Sequence, residues 1–205
     1  MPRPSQPLLD RGRVIAKALE IIDAEGLAAA SLPRLAREFN VKAPSLYHHF
    51  ADRAEIMAGV ARKIVLEAPV PRRRDPEHWV DWLVSVAVNF RRVILRHPNA
   101  ASVLLEFVPR DILSARYNDA AEFLQKAGVA THVHVLILDG LENLTLGAAL
   151  TQASKPEETR NRVFPNVHPG EEPELADAVR QNTWRTAEKL FAQSVRVFLE
   201  GAAAA

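Results

Sequence analysis

From Arg11 onward the apolar residues recur with the period of a helix. Ile15, Ala18, Leu19 and Ile22 stand at i, i+3, i+4 and i+7, with Arg13, Lys17, Glu20 and Asp23 between them. One stripe of such a segment faces a core and the rest faces water. The two-residue alternation of a half-buried strand is absent throughout the 205 residues. A chain with only the helical period buries its apolar stripes by packing helix on helix, so the predicted fold class is all-α. The length allows one large domain or two small ones with a real core.

The punctuation divides the front of the chain finely. Gly26 is a natural stop for the first helix. Ser31 can cap a second, with Pro33 in its first turn, where the missing N–H costs nothing. Leu32, Leu35, Ala36 and Phe39 form that helix's buried face, and Asn40 can leave it in a left-handed conformation. A very short helix is predicted over Ala43–His49. Asp52 and Glu55 form a capping box for a fourth over Asp52–Glu67, whose stripe is Ile56, Val60 and Ile64. Three helices within about forty residues, with a tight turn at Asn40–Val41, read as a helix-turn-helix unit.

The remainder reads as long helices, expected over Glu77–Arg96, Asn99–Leu105, Arg110–Lys126, Thr131–Ser154 and Glu174–Glu200. Before them, "APVPRRRDP" interrupts helix with Pro69, Pro71 and Pro76, and its run Arg72–Arg74 reads as a solvated linker rather than a phosphate patch. Lys155–Glu172 is polar and proline-rich and is expected to be a long mobile loop. The expected organisation is a flexible arm over 1–10, a helix-turn-helix domain over 11–57 and a larger helical domain over 58–205. In the last helix Trp184, Ala187, Phe191, Val195 and Phe198 share one face while Leu190 and Val197 lie on another. Thr131–Ser154 is similarly apolar around much of its circumference. Helices apolar on two sides need two partners. We expect the second partner to be another subunit, with Leu138, Leu146, Phe191, Val195 and Phe198 in a four-helix interface. The alternative is a helix central in a large monomer core.

Several function classes lack support. The chain has no cysteine, which fits a reducing cytoplasm and removes disulfides and thiolate chemistry. No run of about 18 apolar residues is free of charges, and no apolar stretch follows the positive residues of the start, so neither a membrane span nor a secretory signal is expected. His132 and His134 at i, i+2 point about 200° apart on a helix and cannot share a metal. His97 reads as a helix-end cation. Asp139, Glu142 and Asn143 interrupt an apolar helix; one of them faces a ligand, or all are satisfied at the surface or across a dimer. No catalytic or dinucleotide-binding motif occurs, and no enzyme activity, cofactor or metal is expected. Charge distribution is more suggestive. Residues 1–63 carry ten Lys/Arg against seven Asp/Glu, net +3, and the rest carries sixteen against eighteen, net −2. A basic front on an acidic rear suits a nucleic-acid module joined to something else.

The segment "VKAPSLYHHFADRAEIM" fits that module. In a helix-turn-helix the second helix enters the major groove and its first residues meet base edges. Leu46 and Phe50, at i and i+4, anchor it. Lys42, Ala43, Pro44, Ser45 and His48 lie outward: Lys42 as a phosphate or guanine donor, Ser45 for a base or phosphate, Ala43 and Pro44 for a thymine methyl. Tyr47 and His49 suit phosphate oxygens, and Arg53 adds a phosphate contact at the start of the next helix.

The stretch "LLDRGRVIAKALEIIDAEGLAAASLPRLAREFNVKAPSLYHHFADRAEIM" resembles the DNA-binding domain of the tetracycline-repressor (TetR) family. In the rear, "NFRRVILRHPNAA" and "LENLTLGAAL" resemble that family's pocket-lining helix and the helix joining pocket to dimer interface. The resemblance implies a homodimer that places two helix-turn-helix units on a palindromic operator and is released by an inducer bound in the larger domain. It adds Ser31 and Arg34 to the DNA contacts. A base-reading arginine of the tetracycline repressors would fall at Pro33, which implies a different operator. Their chelate-binding histidine and glutamate would fall at Leu104 and Thr151, while Phe90 matches a pocket aromatic. The implied site is mostly apolar and includes Phe90, Leu104, Leu105, Phe107, Leu113, Asn143 and Thr151, suited to an apolar or aromatic inducer rather than a magnesium–tetracycline chelate. The expected function is a ligand-responsive transcriptional repressor in the cytoplasm. The competing reading is a helical protein that binds or sequesters small molecules and carries a vestigial DNA module.

Overall fold

A computed structural model describes residues 9–205, which form ten α-helices joined by turns and short 3-10 segments, with no strand among the described residues. The predicted arm over 1–10 falls mostly outside them. Helix α1 (Arg11–Glu25) starts at Asp10, whose carboxylate accepts from the Arg13 N–H, and stops at Gly26, whose φ of 89° lies outside the range most residues adopt. A 3-10 turn, Leu27–Ala29, leads to α2 (Leu32–Glu38), capped by Ser31 Oγ accepting from the Arg34 N–H at 3.3 Å. Asn40 takes φ 51°, and the Val41 N–H then reaches back to the Ala36 carbonyl at 3.0 Å. That left-handed residue turns the chain into α3, Ala43–Tyr47, two residues shorter than predicted. Asp52 caps α4 (Arg53–Glu67) by accepting from the Glu55 N–H at 2.9 Å. The Glu55 carboxylate returns to the Ala51 N–H at 2.7 Å, one residue before the cap that a standard capping box would use.

The larger domain contains α5 (Trp79–Arg96), the one-turn α6 (Val103–Glu106), α7 (Arg110–Lys126), α8 (His134–Ala153), α9 (Pro173–Gln181) and α10 (Ala187–Ala203). The single helix expected over Glu174–Glu200 is two. Asn182 closes a turn on itself, accepting from the Trp184 N–H and donating to the Trp184 carbonyl. Thr186 then caps α10 by accepting from the Lys189 N–H. Trp184 therefore lies in the break, exposed, and not on the face of α10. Residues 155–172 are irregular, as the composition predicts, and are tied to the helices by Gln152, which donates to the Arg160 carbonyl, and by the Ala187 N–H, which donates to the Asn161 carbonyl at 3.1 Å.

Two apolar clusters make the core. One joins α1–α4 to the end of α5 through Leu46, Phe50, Ile64, Val93 and Ile94. The other lies among α5, α7, α8 and α10 and centres on Leu83, Leu124, Ile137, Val195 and Leu199. Both α5 and α8 contribute to both clusters, α8 through Ile137 in one and Ala149 in the other. The front module is thus continuous in packing with the rear domain. Gly140 lets α8 and α10 approach, because a Cβ there would lie 2.2 Å from Phe198 Cζ. Thr131–Ala153 is apolar and long enough to span a membrane by composition, although it carries Asp139 and Glu142; here it packs on α5 and α10.

Candidate functional site

The short α3 is pinned by its two anchors. Leu46 is fully buried and Phe50 nearly so, and the remaining side chains are displayed around them. Lys42, Pro44, Tyr47 and His48 are exposed, and Ala43, Ser45 and His49 are half-buried. The exposed Arg37, at the end of α2, makes no ion pair or side-chain hydrogen bond with the described residues, and it was absent from the sequence-derived set.

Two arginines assigned to DNA are engaged within the chain. Arg34 forks onto Glu25, with Nη1–Oε2 2.8 Å and Nη2–Oε1 2.7 Å, and its Nε donates to Glu38 at 2.8 Å. Each charge stabilises the other: the carboxylates raise the guanidinium's pKa, and Arg34 lowers that of Glu25. Arg53 Nε donates to the Ala30 carbonyl at 3.0 Å and its Nη2 to the Leu27 carbonyl at 2.9 Å, fastening the start of α4 to the turn after α1. Ser31 spends its oxygen on the α2 cap. These three residues shape the module. Arg11 belongs with them and was missed. Its guanidinium lies 4.4 Å over the Phe50 ring, donates to the His49 carbonyl and pairs with Glu55. Nothing local in the sequence marks it, since its partners lie 38 to 44 residues away.

The module meets the rear domain at His97. One ring nitrogen is 2.7 Å from Asp23 Oδ2 on α1 and the other 3.1 Å from Glu67 Oε2 on α4. Asn99 adds a bond to the Asp23 carbonyl at 2.9 Å. His97 ends α5, so a single side chain joins three helices. Burial works against the Glu67 charge, but the hydrogen bonds from His97 and Lys63 outweigh it and hold that carboxyl below its ordinary pKa.

Behind this joint a cavity of about 350 Å³ opens between α5, α7, α8 and the 68–74 segment. Trp82, Val86, Phe90, Leu113, Leu138 and Leu141 supply its apolar wall. Its polar groups are Arg74, Arg116, Tyr117, Asp119, Glu142 and Thr145. The Tyr117 hydroxyl donates to Glu142 Oε2, and burial, reinforced by this bond, raises the phenol's pKa. Of Asp139, Glu142 and Asn143, Glu142 faces the cavity; Asp139 instead accepts from Asn143 on the outer side of α8.

The ligand residues derived from the sequence are not brought together. Phe90 and Leu113 line this cavity. Asn143 and Thr151 line a separate depression of about 780 Å³ formed by α8, α10 and residues 162–167. Leu105 and Phe107 border a groove of about 700 Å³ between α1, α4 and the start of α7. Leu104 is buried in the front core. The bend at His97–Pro109 turns successive side chains to different neighbours, so a match in sequence there does not carry over to a shared wall.

The expected dimer residues also divide. Val195 is fully buried and Phe191 nearly so in the protomer's own core, Leu138 lines the cavity, and Leu146 packs on the front cluster. Leu138, Leu146 and Phe198 are half-buried. The exposed apolar side chains of α8 and α10 are Val135, Leu136, Leu144 and Val197. Among the described residues no three His, Cys, Asp or Glu side chains converge as metal ligands do.

Residues 14–60 match the family model of bacterial regulatory proteins, tetR family, and residues 71–205 match that of the tetracyclin repressor-like C-terminal domain. Curated relatives include the class E tetracycline repressor of Escherichia coli, 26% identical over 161 residues, covering 76% of this chain and 74% of the relative. The class C repressor of the same organism is 26% identical over 155 residues, covering 75% and 71%. Among solved structures, Streptomyces coelicolor ActR in complex with actinorhodin superposes with a TM-score of 0.76 at 25% identity, covering 97% of this chain and 98% of that one. Apo ActR gives 0.75 at 23%, covering 98% and 97%.

Proposed function

The chain belongs to the tetR family of bacterial regulatory proteins, and is a ligand-responsive DNA-binding repressor; we propose how this member reads DNA and what releases it. Two copies pair through α8 and α10, with Leu136, Leu144, Val197 and the edge of Phe198 at the contact. The pair sets two α3 helices into successive major grooves of a palindromic operator, about 34–36 Å apart. Lys42, Pro44, Ser45, Tyr47, His48 and His49 meet the DNA, with Arg37 as a further phosphate contact. Arg34, Arg53 and Ser31 act by holding the module's shape.

An apolar or aromatic inducer occupies the cavity walled by Trp82 and Phe90. Its walls contain no histidine, and the carboxylate of Glu142 is engaged by Tyr117, which disfavours a magnesium–tetracycline chelate. Inducer wedged between α5 and α8 favours a state in which the end of α5 has moved. His97 transmits that movement to α4 and α1, and the two α3 helices no longer match the groove spacing. The observation that carries this reading is the joint, where His97 alone bonds to both Asp23 and Glu67. Action in the cytoplasm, where operator DNA is reached, completes the proposal.

The test is a gel shift with the DNA upstream of the gene at two salt concentrations, then with a panel of aromatic compounds. Specific, salt-sensitive binding reversed by at least one compound is expected. Absence of any preference over random DNA would favour the sequestering protein instead.

A further inference from the structure

Arg116 projects from α7 to the wall of the Trp82–Phe90 cavity and is half-buried there. It makes no ion pair or side-chain hydrogen bond with any described residue. Every other guanidinium shielded to a comparable degree has a partner: Arg91 has Gln152 and Glu188, and Arg34 has Glu25 and Glu38. Burial alone pulls the Arg116 pKa down, because no carboxylate lies close enough to oppose it. Two carboxylates do line the cavity. Glu142 is held by the Tyr117 hydroxyl, and Asp119 is exposed. A second cation, Arg74, stacks 4.9 Å over the Trp82 ring at the same cavity. Arg74 belongs to the run Arg72–Arg74, which reads from sequence as a solvated linker.

A half-buried guanidinium set against apolar walls without an anion is a partly desolvated charge that an anion entering the cavity can pair with. A planar acid satisfies it with two parallel hydrogen bonds, while its apolar body fills the space between Trp82 and Phe90. We propose that the ligand of this cavity is an aromatic acid, a flat apolar body bearing one carboxylate that pairs with Arg116. Glu142 repels an acid placed at its own end, so the two charged groups fix one orientation. This inference rests on the cavity being the inducer site and adds the charge class of the inducer.

The experiment uses the full chain and three matched pairs of probes: naphthaleneacetic, indoleacetic and anthracenecarboxylic acids against their primary amides, titrated by calorimetry at neutral pH. In at least one pair the acid should bind about tenfold more tightly than its neutral amide. Arg116→Gln should bring that pair to within about threefold, Arg116→Lys, which keeps the charge but not the fork, should give an intermediate preference, and Val86→Trp, which fills the cavity, should abolish binding of both members. The acid–amide comparison in the unmodified protein needs no variant and stands even if Arg116→Gln fails to fold. Equal binding of acid and amide in every pair, sensitive to Val86→Trp, overturns the acid preference and leaves the cavity as the ligand site. A preference that survives Arg116→Gln overturns the assignment to Arg116. Binding untouched by Val86→Trp, or no binding by any probe, overturns the cavity reading and the inference with it.

Discussion

Leu46 and Tyr47 are neighbours on α3 with opposite assignments, and substituting each by alanine separates DNA contact from folding. Leu46 is 0% exposed and Tyr47 is 55% exposed. Tyr47→Ala removes no core contact, and its effect on stability should stay within about 0.5 kcal/mol. A tyrosine hydroxyl bonded to a phosphate contributes about 1–2 kcal/mol. A dimer has two such bonds, so the loss is about 2–4 kcal/mol. At about 1.4 kcal/mol per decade this weakens operator binding roughly 30- to 700-fold. The tyrosine carries no charge, so the slope of log affinity against log salt should not change, whereas Lys42→Ala should flatten it by roughly one unit for each protomer. Leu46→Ala instead leaves a cavity in the front cluster and should cost about 2–5 kcal/mol. For a chain of this size that lowers Tm by about 2–4 °C per kcal/mol. Melting curves and fluorescence-anisotropy titrations at three salt concentrations measure all of these. The reasoning fails if Tyr47→Ala melts as low as Leu46→Ala, or if it binds the operator within about twofold of the unmodified protein.

Three further predictions concern the rear domain and the joint. Val197→Glu should turn dimers into folded monomers by light scattering, because Val197 is 58% exposed on α10. Val195→Glu, two residues away and fully buried, should cost several kcal/mol through an unpaired charge in the protomer core. Glu188→Ala should destabilise by about 1–3 kcal/mol in urea, since it strips the carboxylate from the buried Arg91; Arg91→Met removes the charge but leaves the buried Gln152 amide oxygen without its donor, and should cost about 1–3 kcal/mol as well. Stability should also fall in acid. Glu67 is held below its ordinary pKa of 4.5 when folded, so its contribution is present above that value and is lost as pH falls through the folded one. Glu67→Gln should flatten that acid limb of the stability curve, measured by melting between neutral pH and about pH 3.

What was legible in the sequence, and what was not, follows from how far each signal reaches. Ser31, Asn40 and Asp52 act on backbone groups within four residues of themselves, and each takes the role its type and position announce. Leu46 and Phe50 are the anchors that the i, i+4 spacing predicts. Arg53 is assigned a phosphate contact from its place at the start of the fourth helix, and the family resemblance adds Arg34. Periodicity reports the direction in which a side chain leaves its helix, and it says nothing of Glu25 or the Ala30 carbonyl waiting there from another element. The same limit explains α10. Two apolar faces were visible, but only the packing of α5 and α8 against one of them shows that Val195 faces inward and Val197 outward. The break at Asn182–Thr186 was missed because a helical stripe drawn through Trp184 ignores two residues, Asn182 and Thr186, whose side chains compete for backbone groups.

The cavity is the extreme case. Its walls come from residues 68–74, α5, α7 and α8, stretches joined only by folding, and its two cationic groups are Arg74 and Arg116, which no local pattern separates from solvated charges. A resemblance in sequence led to Leu104 and Thr151, neither of which reaches it. The two parts of the site therefore differ in kind. The DNA-reading surface is built along one chain segment and is set by spacing. The ligand cavity is built across segments, and its specificity is set by which charge the fold leaves without a partner. For α7 that charge is Arg116, two turns from the helix start and shielded by neighbours that supply no carboxylate.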